Sequence, residues 1–278
     1  MSIGDFHCHT NHSDGKLTPQ QLIIKANQNK VRYIAITDHD SVSGIKEAKK
    51  EAKKYKDINV ISGIELSLDI QNEDVHILGL FINESYPELQ NKLKKLKKER
   101  ENRAKKIIEL LKKQNIRLEW GKIKTIANNA TIGRPHIAQA MIDMKYVSTV
   151  QEAFDKYLAR KNIISIKRLK LKLEEAMQLI NDAGGISVLA HPMYLKKLDI
   201  IIKDLTKNGL YGIETYYKNY DQKTISALKI IAKKNKLFTT GGSDYHGIHG
   251  NMEKEPGDIP LPDTVVENLI QRKMRYNK

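Results

Sequence analysis

The strongest constraint on the fold is a repeated alternation of strand-like and helix-like segments. The segment "TPQQLIIKANQNK" (18–30) is helix-like, with Thr18 as the predicted N-cap and Pro19 as the first helical residue. Seven apolar runs have the composition of strands, and most of them are separated by such helices. They begin near Ile3 and continue as "YIAITDHD" (33–40), "INVISGIELSLD" (58–69), "DVHILGLFI" (74–82), "GISVLAHP" (185–192), "LYGIETYY" (210–217) and "LFTTGGSDYH" (237–246). This alternation predicts a parallel α/β fold.

The middle of the chain interrupts the alternation. From Tyr86 to about Arg160 no run resembles a strand. The segment "LQNKLKKLKKERENRAKKIIELLKK" (89–113) instead has apolar residues at helical spacing. These are Leu89, Leu93, Leu96, Ala104, Ile107, Ile108 and Leu111. Lysines occupy its other face, which is typical of a solvated surface. We therefore predict a barrel formed by residues 1–85 and 163–278, with a helical insertion at 86–162.

Composition narrows the class of protein. The single cysteine, Cys8, excludes an intrachain disulfide and a cysteine-rich zinc site. No secretion signal begins the sequence, and no apolar run approaches the roughly 18 residues of a membrane span, so we expect a cytoplasmic protein. A net charge of +15 favours anionic partners such as nucleic acid or phosphorylated metabolites. A general lysine and asparagine bias would give the same charge.

Histidines and carboxylates recur where the predicted strands end. His7 and His9 lie two residues apart, and so on one face of a strand. Taken alone, "DFHCHTNHSDG" (5–15) is also compatible with a polar strand carrying unrelated histidines. The whole set comprises His7, His9, Asp14, Asp38, His39, Asp40, Glu65, His76, His191, Asp244 and His246. In α/β barrels the carboxyl ends of the strands meet on one face. The convergence predicts a metal centre there.

Six sequence segments that contain these residues, taken in order, resemble the polymerase and histidinol phosphatase (PHP) superfamily over nearly the whole chain. They are "DFHCHTNHSDG", "AITDHDSVSG", "GIELS", "HILGL", "VLAHP" and "GGSDYHG". Three more narrow the resemblance to the branch of nucleoside 3′,5′-bisphosphate phosphatases and 5′-to-3′ RNA exonucleases: "TIGRPHIAQAM", "EAFDKYL" and "NDAGGISVLAHP". The resemblance implies a distorted (βα)7 TIM-like barrel, with the helical insertion capping the active site.

The resemblance also implies a trinuclear metal centre. The first ion would be held by His7, His9, Glu65 and Asp244. Glu65 would bridge to a second ion, which His76 and His191 complete. A third would be held by Asp14, His39 and His246. Imidazole and carboxylate donors suit Mn²⁺, Fe²⁺ or Zn²⁺, and the resemblance favours Mn²⁺. A water shared by two cations becomes hydroxide near neutral pH and can attack phosphorus. Glu65 and Asp244 would thus be both ligands and catalytic residues.

The motif "GRPH" (133–136) predicts a second anion site. Pro135 suits the first turn of a helix, which places Arg134 and His136 near free backbone N–H groups. The resemblance implies that both residues contact a second phosphate and that His136 is the candidate proton donor. Lys167 and Arg168 are further candidates for substrate contact, from a segment that departs from the relatives (160–176). Lys167 replaces their usual proline, and Tyr220 replaces a common histidine.

These features favour a metal-dependent phosphoesterase that hydrolyses a phosphate monoester of a nucleotide-type substrate. A nucleoside 3′,5′-bisphosphate is the leading candidate, with 5′-phosphorylated short RNA as a further one. One alternative is a histidinol-phosphate phosphatase, which would need no second phosphate site. Another is a non-catalytic nucleic-acid-binding PHP module, although such modules lose ligands and all nine positions are filled here. No protein partner is indicated.

Overall fold

A seven-stranded sheet rolled into a nearly closed barrel forms the centre of the protein. The computed structural model describes residues 1–71, 73–159, 162–163, 166, 171–248 and 253–276. The strands follow chain order around the sheet: β1 (Gly4–Cys8), β2 (Tyr33–Ile36), β3 (Asn59–Ile70), β4 (Glu73–Leu80), β5 (Ile186–Leu189), β6 (Gly212–Tyr217) and β7 (Phe238–Gly242). An isolated bridge between Cys8 and Tyr245 brings β1 beside β7. The predicted α/β barrel is therefore present.

The parallel arrangement that the alternation predicts holds for every strand except β4. β4 runs antiparallel to both β3 and β5, whereas the other pairs of neighbours are parallel. Only two positions separate Ile70 from Glu73, and so short a connection can join only antiparallel strands. Gln71 takes a positive φ of 54° at this turn. The reversal brings the first half of β4 to the barrel end where the other strands finish.

Ten α-helices are present among the described residues. The helix predicted at 18–30 is α1, in which Thr18 and Gln21 form a reciprocal capping box. The helices are α1 (Pro19–Gln28), α2 (Ile45–Ala52), α3 (Pro87–Lys112), α4 (Trp120–Ala127), α5 (Arg134–Asp143), α6 (Val150–Ala153), α7 (Leu173–Asp182), α8 (Leu198–Lys207), α9 (Gln222–Lys234) and α10 (Asp263–Tyr276). None of these helices combines the length and apolar character that a membrane span requires.

Helix α3 connects two apolar clusters. All seven apolar residues predicted on its inner face are buried. Leu89, Leu93 and Leu96 pack with the barrel helices and strands, whereas Ala104 and the apolar residues after it pack against α4, α5 and α6. A single long helix therefore carries the second cluster and holds it beside the barrel.

Candidate metal centre

The nine predicted ligands lie together at one end of the barrel. Three are in strands: His7 in β1, Glu65 in β3 and His76 in β4. The others follow strand ends: His9 and Asp14 after β1, His39 after β2, His191 after β5, and Asp244 and His246 after β7. His76 joins them although it is not at a carboxyl end, because β4 is reversed and pairs His76 with Ser67 of β3. Six strands thus deliver side chains to one cluster.

Glu65 lies at the centre of the cluster. Its Oε2 is 2.8 Å from Nδ1 of His39 and 3.4 Å from Nε2 of His9. Its Oε1 is 2.8 Å from Nδ1 of His76 and 3.2 Å from Nε2 of His191. Each carboxylate oxygen therefore faces a different group of imidazoles. This is the geometry that a carboxylate bridging two cations requires.

Two further carboxylates flank Glu65. Oδ1 of Asp244 is 3.3 Å from Nε2 of His7 and 3.1 Å from Nε2 of His9. Oδ1 of Asp14 is 3.4 Å from Nε2 of His246. The donor atoms form three groups, each with its atoms within 4.8 Å of one another. The groups are His7, His9 and Glu65; His39, Glu65 and His76; and His9, Asp14, His39 and His246. His9 and His39 each belong to two groups. The sequence analysis had assigned each of them to a single ion.

The buried donor atoms of this cluster fit divalent metal ions. Several face one another closely but make no hydrogen bond of acceptable geometry among the described residues, and such atoms are costly to bury unless they bind something. They include Nε2 of His7, both ring nitrogens of His9, Oδ1 of Asp14, Nδ1 of His39, Oε2 of Glu65 and Nε2 of His76. Nitrogen and oxygen donors that face one another in this way match the preferences of Mn²⁺, Fe²⁺ and Zn²⁺.

The electrostatics of the cluster also fit a site for cations. Burial alone would raise the pKa of Glu65, but the facing imidazoles of His39 and His76 hold it well below its usual value. Burial and the neighbouring His246 lower the pKa of His9 to about 3. Burial opposes the charge of His246 as well, yet the carboxylates of Asp244 and Asp14 raise its pKa to about 10. The rings of His9 and His246 stack with centroids 4.1 Å apart, and a cation held by this group of residues would displace the proton of His246.

Glu214 is a functional residue that the sequence analysis missed. It is fully buried in β6, and its Oε1 lies 3.1 Å from Nδ1 of His7. Its Oε2 accepts the backbone N–H of His191 at 2.7 Å. A Cβ at Gly242 would lie 2.2 Å from the Cβ of His7, so only glycine permits this close packing. A carboxylate on the second nitrogen of a ligand histidine fixes its tautomer and orientation. β6, the one strand without a predicted metal ligand, therefore also contributes a residue to the metal centre.

Asp244 is held by a similar outer contact. The hydroxyl of Tyr217 donates to its Oδ2 at 2.7 Å, and Nζ of Lys218 lies 3.3 Å from the same oxygen. Neither residue could be recognised from the sequence, because Tyr217 ends the apolar run of β6 and Lys218 is the first residue after it. Their contacts leave Oδ1 of Asp244 directed at His7 and His9.

The remaining aspartates of the predicted set have structural contacts. Asp38 accepts hydrogen bonds from the backbone and hydroxyl of Thr10 and from the hydroxyl of Ser13, and so shapes the loop before Asp14. Asp40 pairs with Arg100 of α3 through Nε at 2.6 Å. Asp5, on the same strand as His7, accepts the backbone N–H groups of His7, Ser243 and Gly257.

A cavity of about 230 Å³ adjoins the metal centre. Its lining includes Asp14, His39 and His76 of the centre, residues of α3 and α5, and Phe154. Three arginines line it: Arg100, Arg103 and Arg134. We call it the arginine cavity. Arg134 was predicted here, whereas Arg100 and Arg103 were missed because they lie in a helix whose basic face resembled ordinary surface. Lys167 and Arg168 lie outside the described residues, and their roles stay predictions.

Arg134 and His136 differ in their surroundings. The guanidinium of Arg134 lies 5.2 Å from the centroid of Phe154 and donates to the carbonyl of Leu158, which fixes it at the cavity wall. His136 is only 9% exposed, and its Nδ1 accepts the backbone N–H of Gly133 at 3.0 Å. It therefore caps the start of α5 and is absent from the described lining of the cavity. Its proposed role as proton donor stays a prediction.

Comparisons with known proteins show the family of this chain. The PHP domain family matches residues 5–238. The chain is 30% identical over 249 residues to the 5′-3′ exoribonuclease Rnm of Salmonella typhimurium, covering 88% of this chain and 85% of that protein. It is 30% identical over 267 residues to the 3′,5′-nucleoside bisphosphate phosphatase of Chromobacterium violaceum, covering 94% and 93%. The crystal structure of a candidate metal-dependent phosphoesterase from Bifidobacterium adolescentis has a similar fold. Its TM-score is 0.87 at 28% identity, covering 97% of this chain and 96% of that one.

Proposed function

Because this chain belongs to the PHP domain family and is a metal-dependent phosphoesterase, we propose that it acts on nucleotides that carry two phosphates. The proposed substrates are nucleoside 3′,5′-bisphosphates and short RNA with a 5′-phosphate. Relatives that are named for each of these activities align along most of the chain.

The observation that carries the proposal is the arginine cavity beside the metal centre. His39 and His76 belong both to the metal-binding groups and to the cavity wall. Arg100, Arg103 and Arg134 line the same cavity, and a guanidinium offers paired donors that match the oxygens of phosphate. One phosphate can therefore react at the centre while a second is held by arginines. The net charge of +15 attracts such anions over a longer range.

The nine predicted ligands would hold two or three divalent ions, with Mn²⁺ as the proposed metal. Bound ions would activate a water molecule and neutralise the charge of the reacting phosphate. Glu65 and Asp244 would hold these ions from the centre of the cluster, where both carboxylates face His7 and His9. Glu214 orients His7, and Tyr217 with Lys218 orients Asp244. Water supplies the new oxygen on phosphorus, the bond from phosphorus to O3′ breaks, and a proton is delivered to the leaving O3′.

The two alternatives fit the site less well. Histidinol phosphate has a single phosphate and would leave the arginine cavity without an anion. A non-catalytic nucleic-acid-binding module would not need the convergent, buried donor atoms of the metal centre.

A phosphate-release panel tests the proposal. The protein, supplemented with Mn²⁺, is given adenosine 3′,5′-bisphosphate, adenosine 3′-monophosphate, 5′-phosphorylated trinucleotide RNA and histidinol phosphate. We expect kcat/KM for the bisphosphate to exceed kcat/KM for the 3′-monophosphate and for histidinol phosphate by about 10-fold or more. The reason is that one charge-assisted hydrogen bond to the second phosphate contributes about 1.5–3 kcal/mol. Equal turnover of all four compounds would contradict the role of the arginine cavity.

A further inference from the structure

An exposed tyrosine lies beside the metal centre at a position that the proposed hydrolysis does not use. Tyr194 is 65% exposed, yet its ring centroid is 5.6 Å from that of His191 and 6.0 Å from that of Tyr217. The neighbouring Met193 is 46% exposed. Tyr194 therefore has one edge packed against the centre and one face directed to solvent. This arrangement suits a ring that binds a flat ligand.

The loop that presents Tyr194 is anchored on both sides. It starts at His191, whose φ of 31° is unusual for a residue other than glycine, and turns through a 3₁₀ segment at Pro192–Tyr194. The hydroxyl of Tyr220 accepts the backbone N–H of Met193 at 3.1 Å. After the turn, Glu73 accepts the backbone N–H groups of Lys196 and Lys197 at 2.8 and 2.7 Å. A ring on so fixed a loop loses little conformational freedom when it binds.

Tyr194 and the arginine cavity adjoin different histidines of the centre. The cavity is walled by His39 and His76, whereas Tyr194 packs against His191. Neither Tyr194 nor His191 is among the described residues that line the cavity. A substrate held by its terminal phosphate in the cavity, with its next phosphate at the centre, therefore has a second flank into which it can extend.

We propose that Tyr194, together with Met193, stacks against the nucleobase that follows the scissile phosphate of a 5′-phosphorylated RNA. Every base offers a π face, so an aromatic platform binds RNA with little dependence on sequence. The exposed side chains of Lys196 and Lys197 follow Tyr194 and supply positive charge for the next backbone phosphates. The inference rests on the proposed function, because it assigns the terminal 5′-phosphate to the arginine cavity.

This assignment separates the two proposed substrates. A nucleoside 3′,5′-bisphosphate ends at the reacting phosphate and has no base beyond it. An RNA of two or more nucleotides continues past that phosphate. Tyr194 therefore governs the preference for oligonucleotides over mononucleotides.

The test compares kcat/KM for a 5′-phosphorylated dinucleotide with kcat/KM for adenosine 3′,5′-bisphosphate, both with Mn²⁺. Tyr194→Ala is expected to lower the ratio of the two values by about 5- to 150-fold, the range for loss of one base stack, mainly through KM for the dinucleotide. Tyr194→Phe keeps the ring and is expected to keep the ratio. Ile230→Ala removes an apolar side chain that is 69% exposed on α9, away from the centre, and serves as the matched control.

A dinucleotide whose second nucleotide lacks its base completes the design. On this compound Tyr194→Ala and the unsubstituted protein are expected to have equal kcat/KM. Equal loss on dinucleotide and bisphosphate, or a loss that persists with the abasic compound, would overturn the inference and leave the proposed function standing. Turnover of the bisphosphate without any turnover of RNA would also overturn the inference. Failure to hydrolyse either substrate would instead refute the proposed function itself.

Discussion

Glu214 acts on two histidines of the metal centre at once. It contacts Nδ1 of His7 through one oxygen and the backbone N–H of His191 through the other. Both contacts are buried, so the carboxylate fixes the two residues with little competition from water. Outer contacts of this kind are worth about 10- to 100-fold in metal affinity.

Glu214→Gln is therefore expected to weaken Mn²⁺ binding by about 10- to 100-fold with the fold retained. The amide keeps the size of the side chain but removes the charge that holds His7 in one tautomer. Isothermal titration with Mn²⁺ measures the effect. Asp221→Asn, the same chemical change at the exposed cap of α9, is the control and is expected to bind as the unsubstituted protein does. Unchanged affinity in Glu214→Gln would show that His7 needs no such support.

In the proposed function, Arg134 contacts the second phosphate of the substrate. Arg134→Ala is expected to lower kcat/KM for adenosine 3′,5′-bisphosphate by about 10- to 100-fold, because a charge-assisted hydrogen bond contributes about 1.5–3 kcal/mol. Turnover of a generic aryl phosphate, which has one phosphate only, is expected to change much less. Steady-state phosphate release measures both.

Arg117→Ala removes an exposed arginine from the connection between α3 and α4 and is the matched control. If Arg134→Ala slows the aryl phosphate and the bisphosphate equally, Arg134 serves the reacting phosphate or the fold, and the two-site account is wrong. Metal content of the variant, measured alongside, distinguishes these two cases.

Site residues could be predicted from the sequence where they follow a local pattern along the chain. They could not be predicted where their role depends on residues that are distant in sequence and close in space. His39 and Asp244 end apolar runs, so their convergence could be read from the sequence. Glu214 sits inside an apolar run, and its role is explained only by the rolled sheet, which brings its carboxylate to His7 of β1 and to the backbone of His191 after β5. In the sequence, Arg100 and Arg103 look like exposed charged residues of a basic helix. Only the path of α3 beside the metal centre shows that they line the cavity.

At the scale of elements, the pair Asp40–Arg100 connects the barrel to helix α3. Asp40 follows β2 and is 5% exposed, and the side chain of Arg100 is 12% exposed. Asp40 has a φ of 49°, which asparagine also tolerates. The pair therefore joins the loop that carries His39 to the helix that carries two cavity arginines.

Asp40→Asn is expected to lower the free energy of unfolding by about 3 kcal/mol, because it leaves a largely buried guanidinium without its charged partner. Arg100→Met in addition to Asp40→Asn is expected to cost less than the sum of the single substitutions. Urea denaturation measures each value. Asp258→Asn breaks the exposed pair with Lys254 and is expected to change stability far less. Strict additivity at positions 40 and 100 would mean that the pair does not couple the two elements.

The direction of β4 shows why element type was easier to predict than topology. Each strand-like run gave a strand within a few residues of the expected limits. The reversal of β4 depends on the length of one turn between Ile70 and Glu73, which the alternation of apolar runs does not reveal. The placement of His76 at the centre follows from that reversal.

At the scale of the molecule, the metal centre ties the barrel together. Its nine predicted ligands come from β1 to β5 and β7 or from the loops after them, and β6 contributes Glu214. A metal bound there would join all seven strands. It would also neutralise a cluster of buried charged groups that now face one another.

Metal binding is therefore expected to stabilise the whole protein. At a free Mn²⁺ concentration of about 100 times Kd, the gain is about 2.7 kcal/mol per site, or about 5–10 °C in Tm. Differential scanning calorimetry before and after chelation measures it. Magnesium-free buffer containing Ca²⁺ is the control, since a site rich in imidazole favours Mn²⁺ over Ca²⁺. A Tm that does not respond to Mn²⁺ would indicate that the cluster binds no metal.

The most direct test of the central claim is phosphate release from adenosine 3′,5′-bisphosphate by the Mn²⁺-supplemented protein, with and without exhaustive chelation, for the unsubstituted chain and for Glu65→Gln. Glu65 is the carboxylate that faces both groups of imidazoles. We expect the unsubstituted chain to release phosphate rapidly, chelation to abolish this release, and Mn²⁺ to restore it. Glu65→Gln is expected to release none under any of these conditions. Release that survives both chelation and Glu65→Gln would contradict the central claim.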